Sequence, residues 1–154
     1  MLIEKNKAII RRLFEAENKR NLAILDELIA PDFIEGRNTP FELRGPEGYK
    51  QFVTMLFKGF PDWHETIEDI IAEGDKVCVH LKATATHTGK LDFLGITLAP
   101  TGEKITYTAV NIWRVVDGKI VERKSVRDLL VILTQLGLIK PTEKGKKLFP
   151  KNAK

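Results

Sequence analysis

The chain has little of what would suggest a secreted or membrane protein. Among its 154 residues Cys78 is the sole cysteine, which excludes an internal disulfide. No apolar run reaches the roughly 18 residues of a membrane span. The N-terminal stretch MLIEKNKAIIRRLF alternates charged and apolar residues, unlike a signal peptide. We therefore expect a cytoplasmic protein without a membrane partner. Cys78 stands in an alternating apolar run, which is typical of a small sheet residue and not of a nucleophile.

Signatures of metal and phosphate sites are also missing. The three histidines, His64, His80 and His87, lack the spacing of metal ligands, and nearby carboxylates form no cluster with them. We expect the stretch EGRNTPFELRGPEG to be irregular, without the preceding strand and the following Lys-Ser/Thr pair of a phosphate loop. No Ser-His-Asp or Cys-His arrangement can be argued. The sequence thus predicts no metal site.

The positive charge is concentrated at the C-terminus. Residues 140–154 contain six Lys and one Glu, a net charge of +5, whereas the whole chain carries +4. The rest of the chain is therefore at −1, so the calculated pI of 9.2 reflects the tail and not a basic patch on the fold. Such a tail is typical of a solvated end, and we predict no nucleic-acid partner.

The first half of the chain has helical periodicity. Apolar positions spaced for one helix face run through residues 4–18, and a second short helix with several leucines is closed by Pro31. Residues 31–46 are predicted to be irregular. Pro46 is well placed at the start of a third helix, which Gly59 and Pro61 end.

The second half changes to a period of two residues, which indicates strands over 64–72, 77–87, 104–116 and 119–127. Asp117-Gly118 predicts a two-residue hairpin turn between the last two strands. RDLLVILTQLG then predicts a short helix ending at Gly137. Helices followed by a meandering sheet predict an α+β fold, with the helices packed on the concave face of a curved antiparallel sheet that leaves a cone-shaped cavity.

Six segments resemble a known family when taken in order: RGPEGYKQF, FPDWHETIEDIIAEGDKV, ATHTG, LAPTGEKI, NIWRVVDGKIVE and RDLLVILTQLG. Their order and spacing are similar to those of the SnoaL-like polyketide cyclases, within the NTF2-like, ketosteroid-isomerase-like fold group. The resemblance implies one domain over residues 1–139, a small-molecule ligand in a cone cavity and a homodimer. It implies an intramolecular aldol closure with Asp128 as general acid/base, and neither a metal nor an organic cofactor.

Counting outward from the hairpin turn gives a register for the last two strands. Val116 would pair with Lys119, Trp113 with Glu122, Asn111 with Lys124 and Tyr107 with Asp128, and opposed residues share a face. This count predicts a cavity lining of Tyr107, Asn111, Trp113, Lys124 and Asp128. The other face would hold Val110, Ile112, Arg114, Val121 and Arg123, which would suit a dimer surface. A bulge would exchange these assignments.

Two departures from the family pattern concern the acid/base role. Gly36 stands where members often have a polar or His residue, and Lys124 stands where many have Trp. If Lys124 pairs with Asp128, the carboxylate becomes a poorer proton donor. Asp128 could also simply cap the helix that follows it.

Two histidines are further candidates for the cavity. His87 ends the inward alternation of its strand and could reach the cavity, or it could bond to the neighbouring loop. His64 follows Trp63 at a Pro-Asp corner and could line the cavity entrance, while Trp63 would cover the edge of the core.

Three functions follow from this sequence. The first is a cyclase or isomerase that applies acid/base chemistry to a small apolar carbonyl compound, with Asp128 assisted by Tyr107, Asn111 or His87. The second is a binding module that keeps the cavity without the chemistry. The third is an interaction protein that uses its sheet face. A buried, unpaired Asp128 would favour the enzyme, and an Asp128 tied to its own helix would favour the other two.

Overall fold

The fold is an α+β cone, as predicted. A computed structural model describes residues 1–35, 43–93 and 96–148. The helices are α1 (Leu2–Asn18), α2 (Leu25–Leu28, preceded by a single turn Leu22–Ile24), α3 (Gly45–Gly59) and α4 (Leu129–Gln135). The strands are β1 (Ile29–Glu35), β2 (His64–Glu73), β3 (Lys76–Thr86), β4 (Leu91–Phe93), β5 (Ile96–Leu98), β6 (Lys104–Val116) and β7 (Lys119–Arg127).

One five-stranded sheet in the order β1-β7-β6-β3-β2 forms the wall of the cone, and β4 and β5 form a separate hairpin. Buried residues alternate along β3 and β6, so one face of the sheet packs on the core and the other faces outward. Leu13 and Phe14 of α1 and Tyr49 and Phe52 of α3 fill the concave side. None of the described helices combines the length and apolarity that crossing a membrane requires.

The first strand, β1, was not predicted from the sequence. Residues 29–35 form β1, which pairs in parallel with β7, so the prediction of irregular structure from residue 31 is wrong over this part and the sheet is not purely antiparallel. The strand was not predicted because it contains Pro31 and Asp32, and both residue types are depleted in strands. β1 lies at the edge of the sheet, where these residues are tolerated. Gly36, one of the departures noted above, lies outside the described residues.

The predicted register between β6 and β7 is wrong beyond the turn. Asp117 and Gly118 both have positive φ (49° and 76°), as the predicted hairpin turn requires. Val115 pairs with Ile120, but Arg114 pairs with Glu122, so Val121 is an extra residue that forms a bulge. A one-residue shift moves every later side chain to the opposite face. Arg123, Ser125 and Arg127 therefore face inward, and Lys124 faces outward.

Candidate functional site

The interior of the cone contains two adjoining spaces. The floor is a polar space of about 20 Å³, with room for about one water molecule. It is lined by polar side chains from five elements: Glu17, Tyr49, Glu65, Tyr107, Asn111, Arg123, Ser125 and Arg127. The mouth is an apolar space of about 80 Å³, lined mainly by Phe60, Leu91, Leu98, Ile105, Leu129, Ile132, Leu133 and Leu136. Leu56, Trp63, Tyr107 and Arg127 line both spaces.

Arg123 is the centre of the floor's hydrogen-bond network. Its guanidinium donates to both carboxylate oxygens of Glu35, through Nε (3.0 Å) and Nη2, and its Nη1 donates to the Tyr49 hydroxyl at 3.1 Å. Both partners of the ion pair are buried. Burial alone lowers the pKa of Arg123, but the facing Tyr49, Glu35 and Glu17 raise it on balance. Arg123 is therefore a permanent cation that fixes the geometry of the floor.

Glu17 is a buried acid that holds its proton. The Tyr49 hydroxyl donates to its Oε1 at 2.5 Å. Burial, together with the charge of Glu65, raises the pKa of Glu17 to about 8, although Tyr49 and Arg123 act in the opposite direction. Glu17 follows Leu13 and Phe14 at helical spacing, so a charged residue on an apolar helix stripe was the signal in the sequence that could have identified it.

Glu65 is the second carboxyl group on the floor with a raised pKa. Asn18 positions its backbone from both sides, since Glu65 N donates to Asn18 Oδ1 at 2.9 Å and Asn18 Nδ2 donates to Glu65 O at 2.8 Å. Burial raises the pKa of Glu65, opposed by the positive charges of Arg123 and Arg127 and by a hydrogen bond from the Trp63 side chain. The sequence did not identify this residue. A period of two predicts on which face of the sheet a side chain lies, but it does not predict how deep in the cone the side chain lies.

Tyr107 and Asn111 lie where the sequence predicted, on the inner face and at the floor. Burial raises the pKa of Tyr107, so its hydroxyl stays protonated. Asn111 is buried, and its Oδ1 has no hydrogen-bond partner among the described residues. Such an unsatisfied acceptor is a place where a ligand hydroxyl or a water would bind. Trp113 also faces inward, but it packs on the rings of Phe14 and Tyr49 in the core and does not line the floor.

Asp128 lines neither space, but its chain neighbours Arg127 and Leu129 both line the mouth, which places Asp128 at the rim. Its side chain is exposed and accepts a hydrogen bond from Val131 N at 3.1 Å, so it caps α4, which is the alternative role considered from the sequence. Its own backbone N–H donates to Thr108 O at 3.3 Å. Lys124, predicted to share a face with Asp128, is exposed on the outer face and pairs with Glu122 at 3.3 Å. The bulge at Val121 is the physical reason for this difference.

The two candidate histidines lie outside both spaces. His87 is buried, its Nδ1 is 3.0 Å from the Thr101 hydroxyl, and its ring lies 5.2 Å from that of Phe60. His87 is therefore bonded to the neighbouring loop and does not reach the cavity. Burial lowers the pKa of His87. His64 is exposed and lines an open groove between α1 and β2. Trp63 itself is buried and lines both the floor and the mouth.

No group of three or more His, Cys, Asp and Glu side chains in the described ranges could hold a metal ion. What the interior offers is a set of proton donors and acceptors: two carboxyl groups with raised pKa values, two phenols, an amide and two guanidinium groups. The apolar mouth leads directly onto this set. The arrangement can bind an apolar compound by its rings and move protons at its polar end.

These features define an NTF2-like cone domain whose interior is polar at the floor and apolar at the mouth. A sequence profile of the SnoaL-like polyketide cyclase family matches residues 7–136. The chain belongs to this family, and the match ends before the predicted basic tail.

The relatives are consistent with this family. The aklanonic acid methyl ester cyclase of Streptomyces sp. strain C5 is 32% identical over 144 residues, covering 89% of this chain and 84% of the relative. A crystal structure from Jannaschia sp. CCS1, assigned to the SnoaL-like polyketide cyclases, is 26% identical, with a TM-score of 0.77 over 90% of this chain and 95% of the other. The structure of IdmH from Streptomyces antibioticus, a polyketide cyclase candidate, is 34% identical, with a TM-score of 0.70 over 86% and 98% of the two chains.

Proposed function

We propose that the protein is a cyclase that closes a ring in an apolar, carbonyl-bearing compound by acid/base catalysis. The observation that carries this proposal is the pairing of an apolar mouth with a floor of proton-bearing groups in one continuous interior. The apolar side chains would hold the rings of the substrate, and the floor would receive its carbonyl end.

Two proton transfers are needed for an intramolecular aldol closure. A base removes the acidic C–H proton beside a carbonyl, and the resulting enolate carbon attacks a second carbonyl carbon. An acid then protonates the alkoxide oxygen that forms. By resemblance to the family we assign Asp128 as the base. Its position at the rim would put it over the part of a substrate that protrudes from the mouth.

The substrate class is an acid methyl ester by analogy with relatives whose names specify aklanonic acid or nogalonic acid methyl esters. The geometry favours an ester over a free acid. A free carboxylate would lose water on entering the apolar mouth and would then approach a floor that already holds the carboxyl groups of Glu17 and Glu65. An ester carbonyl accepts hydrogen bonds without adding a charge.

The mouth must widen for such a substrate. Its volume of about 80 Å³ is well below the roughly 300–1,000 Å³ of ligand pockets. Helix α4 is the element best suited to move, because none of its residues is buried. It is attached to β6 mainly at its ends, where the Gln135 side chain exchanges two hydrogen bonds with the Thr106 backbone (2.7 and 3.0 Å) and Asp128 N bonds to Thr108 O.

The test is turnover of aklanonic acid methyl ester, followed by chromatography for ring closure and by NMR for deuterium uptake at the acidic carbon. We expect Asp128→Asn to lower the rates of ring closure and of deuterium uptake by about 10²–10⁴-fold. Asn is a good helix cap, so this variant removes the carboxyl group and leaves α4 intact. Lys124→Ala is the matched control, since Lys124 faces outward and should not affect either rate.

A binding module is the second candidate, and the observation in its favour is that Asp128 is exposed and caps its own helix. In that case the wild type would bind the ester in a calorimetric titration but would show neither ring closure nor deuterium uptake. Full activity of Asp128→Asn would instead remove Asp128 from the mechanism and leave the cyclase assignment standing.

We also propose a homodimer formed through the outer face of the sheet. This face carries exposed apolar side chains on β2, β6 and β7: Ile71, Val110, Ile112 and Val126. Ile112→Glu should shift light-scattering mass from dimer to monomer. Ile96→Glu, a change of the same kind on the β4–β5 hairpin, should not. A monomeric wild type would refute the proposal.

A further inference from the structure

The floor and the ion pair attached to it contain more acid than base. The floor is lined by two carboxyl groups, on Glu17 and Glu65, and by two guanidinium groups, on Arg123 and Arg127, and Arg123 is already paired with the carboxylate of Glu35. Arg123 is fully engaged by Glu35 and Tyr49. Full ionisation would leave one uncompensated negative charge in a space with little water. Burial raises the pKa of both remaining carboxyl groups, on Glu17 and Glu65, so the floor retains protons at a pH where exposed carboxyl groups have lost them.

The two carboxyl groups differ in their access to a ligand. Glu17 is held by Tyr49 at 2.5 Å, is buried and does not line the mouth. Glu65 lies on β2 and is half-buried, beside Trp63, which lines both floor and mouth. A ligand that enters past Trp63 would thus meet Glu65 before Glu17.

Two groups that could bind an oxygen atom line the same floor as Glu65. Arg127 also lines both spaces, and its guanidinium donates a long hydrogen bond, 3.4 Å, to Ser125 Oγ. Asn111 supplies the buried oxygen without a described partner on the same floor. An oxygen that gains negative charge here would be stabilised by Arg127, and as a hydroxyl it could donate to Asn111.

We propose that Glu65 is the general acid of the site and Glu17 its proton partner. In the aldol closure proposed above, on which this inference rests, the new C–C bond turns the attacked carbonyl oxygen into an alkoxide. The Glu65 O–H bond breaks, its proton forms the O–H bond of the product, and Glu65 is left as a carboxylate. The proton that Asp128 took from carbon passes to water, and Glu65 regains one from Glu17 or water, so atoms and charge balance.

The surroundings explain why Glu65 suits this role. Glu17 faces it from α1 and Tyr49 from α3, while Tyr107 faces it from β6 and Arg123 and Arg127 from β7. Burial favours the protonated acid, so the pKa of Glu65 is raised. Once the proton has left, Arg123, Arg127 and the Trp63 hydrogen bond stabilise the carboxylate. The group is therefore able to give up a proton and to take it back.

The test uses Glu65→Gln with Glu68→Gln as the matched control, because Glu68 lies on the same strand and is exposed. With aklanonic acid methyl ester, Glu65→Gln should lower kcat for ring closure by about 10²–10⁴-fold with little change in KM. Deuterium uptake at the acidic carbon should persist, since the base is intact, whereas Asp128→Asn should lose it. In the wild type, kcat should fall as pH rises past the pKa of Glu65, and the Gln variant should lack this fall.

Ring closure in Glu65→Gln at the rate of Glu68→Gln would overturn the inference while leaving the cyclase function in place. If Glu65→Gln lost both deuterium uptake and ring closure, the inference would also be overturned, because Glu65 would then be the base or a structural group. If Glu65→Gln does not fold, Glu65→Asp applies the same test, since it keeps the acid and shortens it by one methylene. We then expect a lower kcat with the high-pH fall retained, and an unchanged kcat would count against the inference.

A wild type without ring closure or deuterium uptake would instead refute the proposed function. Carbon-13 NMR of the carboxyl groups then decides the remaining part of the inference. If Glu17 and Glu65 share a proton, the pKa of Glu17 should fall in Glu65→Gln, since the charge of Glu65 helps to raise it. An unchanged pKa of Glu17 would show that the two groups are independent.

Discussion

The floor and the mouth of the cone are built in opposite ways. The floor is polar and joined by hydrogen bonds that link α1, β1, α3 and β7 through Arg123, Glu35, Tyr49 and Glu17. The mouth is lined by leucine and isoleucine side chains and is covered by a seven-residue helix that has no buried residue. One region holds charges in fixed positions, and the other encloses an apolar space.

This difference separates two tasks that one fold must perform. Proton transfer needs groups that do not reorganise during the reaction, which the network of the floor supplies. Substrate entry needs an element whose displacement exposes little buried surface, which α4 supplies. We therefore expect substitutions in the floor to affect stability strongly, and substitutions at the rim to affect it weakly.

The largest expected effect is the loss of Arg123. Arg123→Met should lower the free energy of unfolding by about 3–5 kcal/mol, because Glu35 is left buried without its counter-ion. Urea unfolding measures this. Arg114→Met is the control from the outer face, where the half-exposed pair with Asp75 should be worth about 0.2–1 kcal/mol. Adding Glu35→Leu to Arg123→Met should restore much of the loss. Equal effects of the two Arg substitutions would contradict the comparison.

A period of two in a strand predicts sheet faces correctly only where the pairing with the next strand is regular. Tyr107 and Asn111 were assigned to the correct face because β6 pairs regularly with β3 along its whole length. Arg123 and Lys124 were exchanged because the single extra residue Val121 leaves no mark in the alternation. The turn was predictable, since Asp-Gly adopts positive φ, but the bulge three residues later was not.

The polar floor could not be predicted because its members are far apart in the sequence. Glu17 and Tyr49 are separated by 32 residues and Glu35 and Arg123 by 88. Glu35 and Arg123 have local surroundings typical of exposed charges, whereas Glu17 and Tyr49 continue the apolar stripes of their helices. Only the folded cone, in which the parallel pairing of β1 with β7 sets Glu35 beside Arg123, brings them together.

A smaller effect should appear in the pH dependence of stability. The pKa of Glu17 is about 8 in the folded state and about 4.3 in an unfolded chain. Between these values the folded state binds the extra proton, so stability is highest at low pH and falls as pH rises toward 8. The slope approaches about 1.4 kcal/mol per pH unit for one group.

Glu17→Gln mimics the protonated acid and should flatten this slope in urea unfolding between about pH 6.5 and 8. Glu65 acts in the same direction because its pKa is also raised, so some slope should remain. The lowered pKa of His87 makes stability rise with pH at lower pH values. This contribution is the same in the wild type and in Glu17→Gln. A slope that is identical in the wild type and the variant would mean that Glu17 is ionised in the folded state.

The smallest expected effect belongs to the rim. Asp128→Ala removes the side-chain cap of α4 and should lower the free energy of unfolding by about 1 kcal/mol, whereas Asp128→Asn should change it by a few tenths at most. Because α4 is also attached through Gln135, the helix should remain in place in both variants. If Asp128→Ala were as damaging as Arg123→Met, the rim would be part of the same rigid unit as the floor. Substrate would then have to enter by displacing some element other than α4.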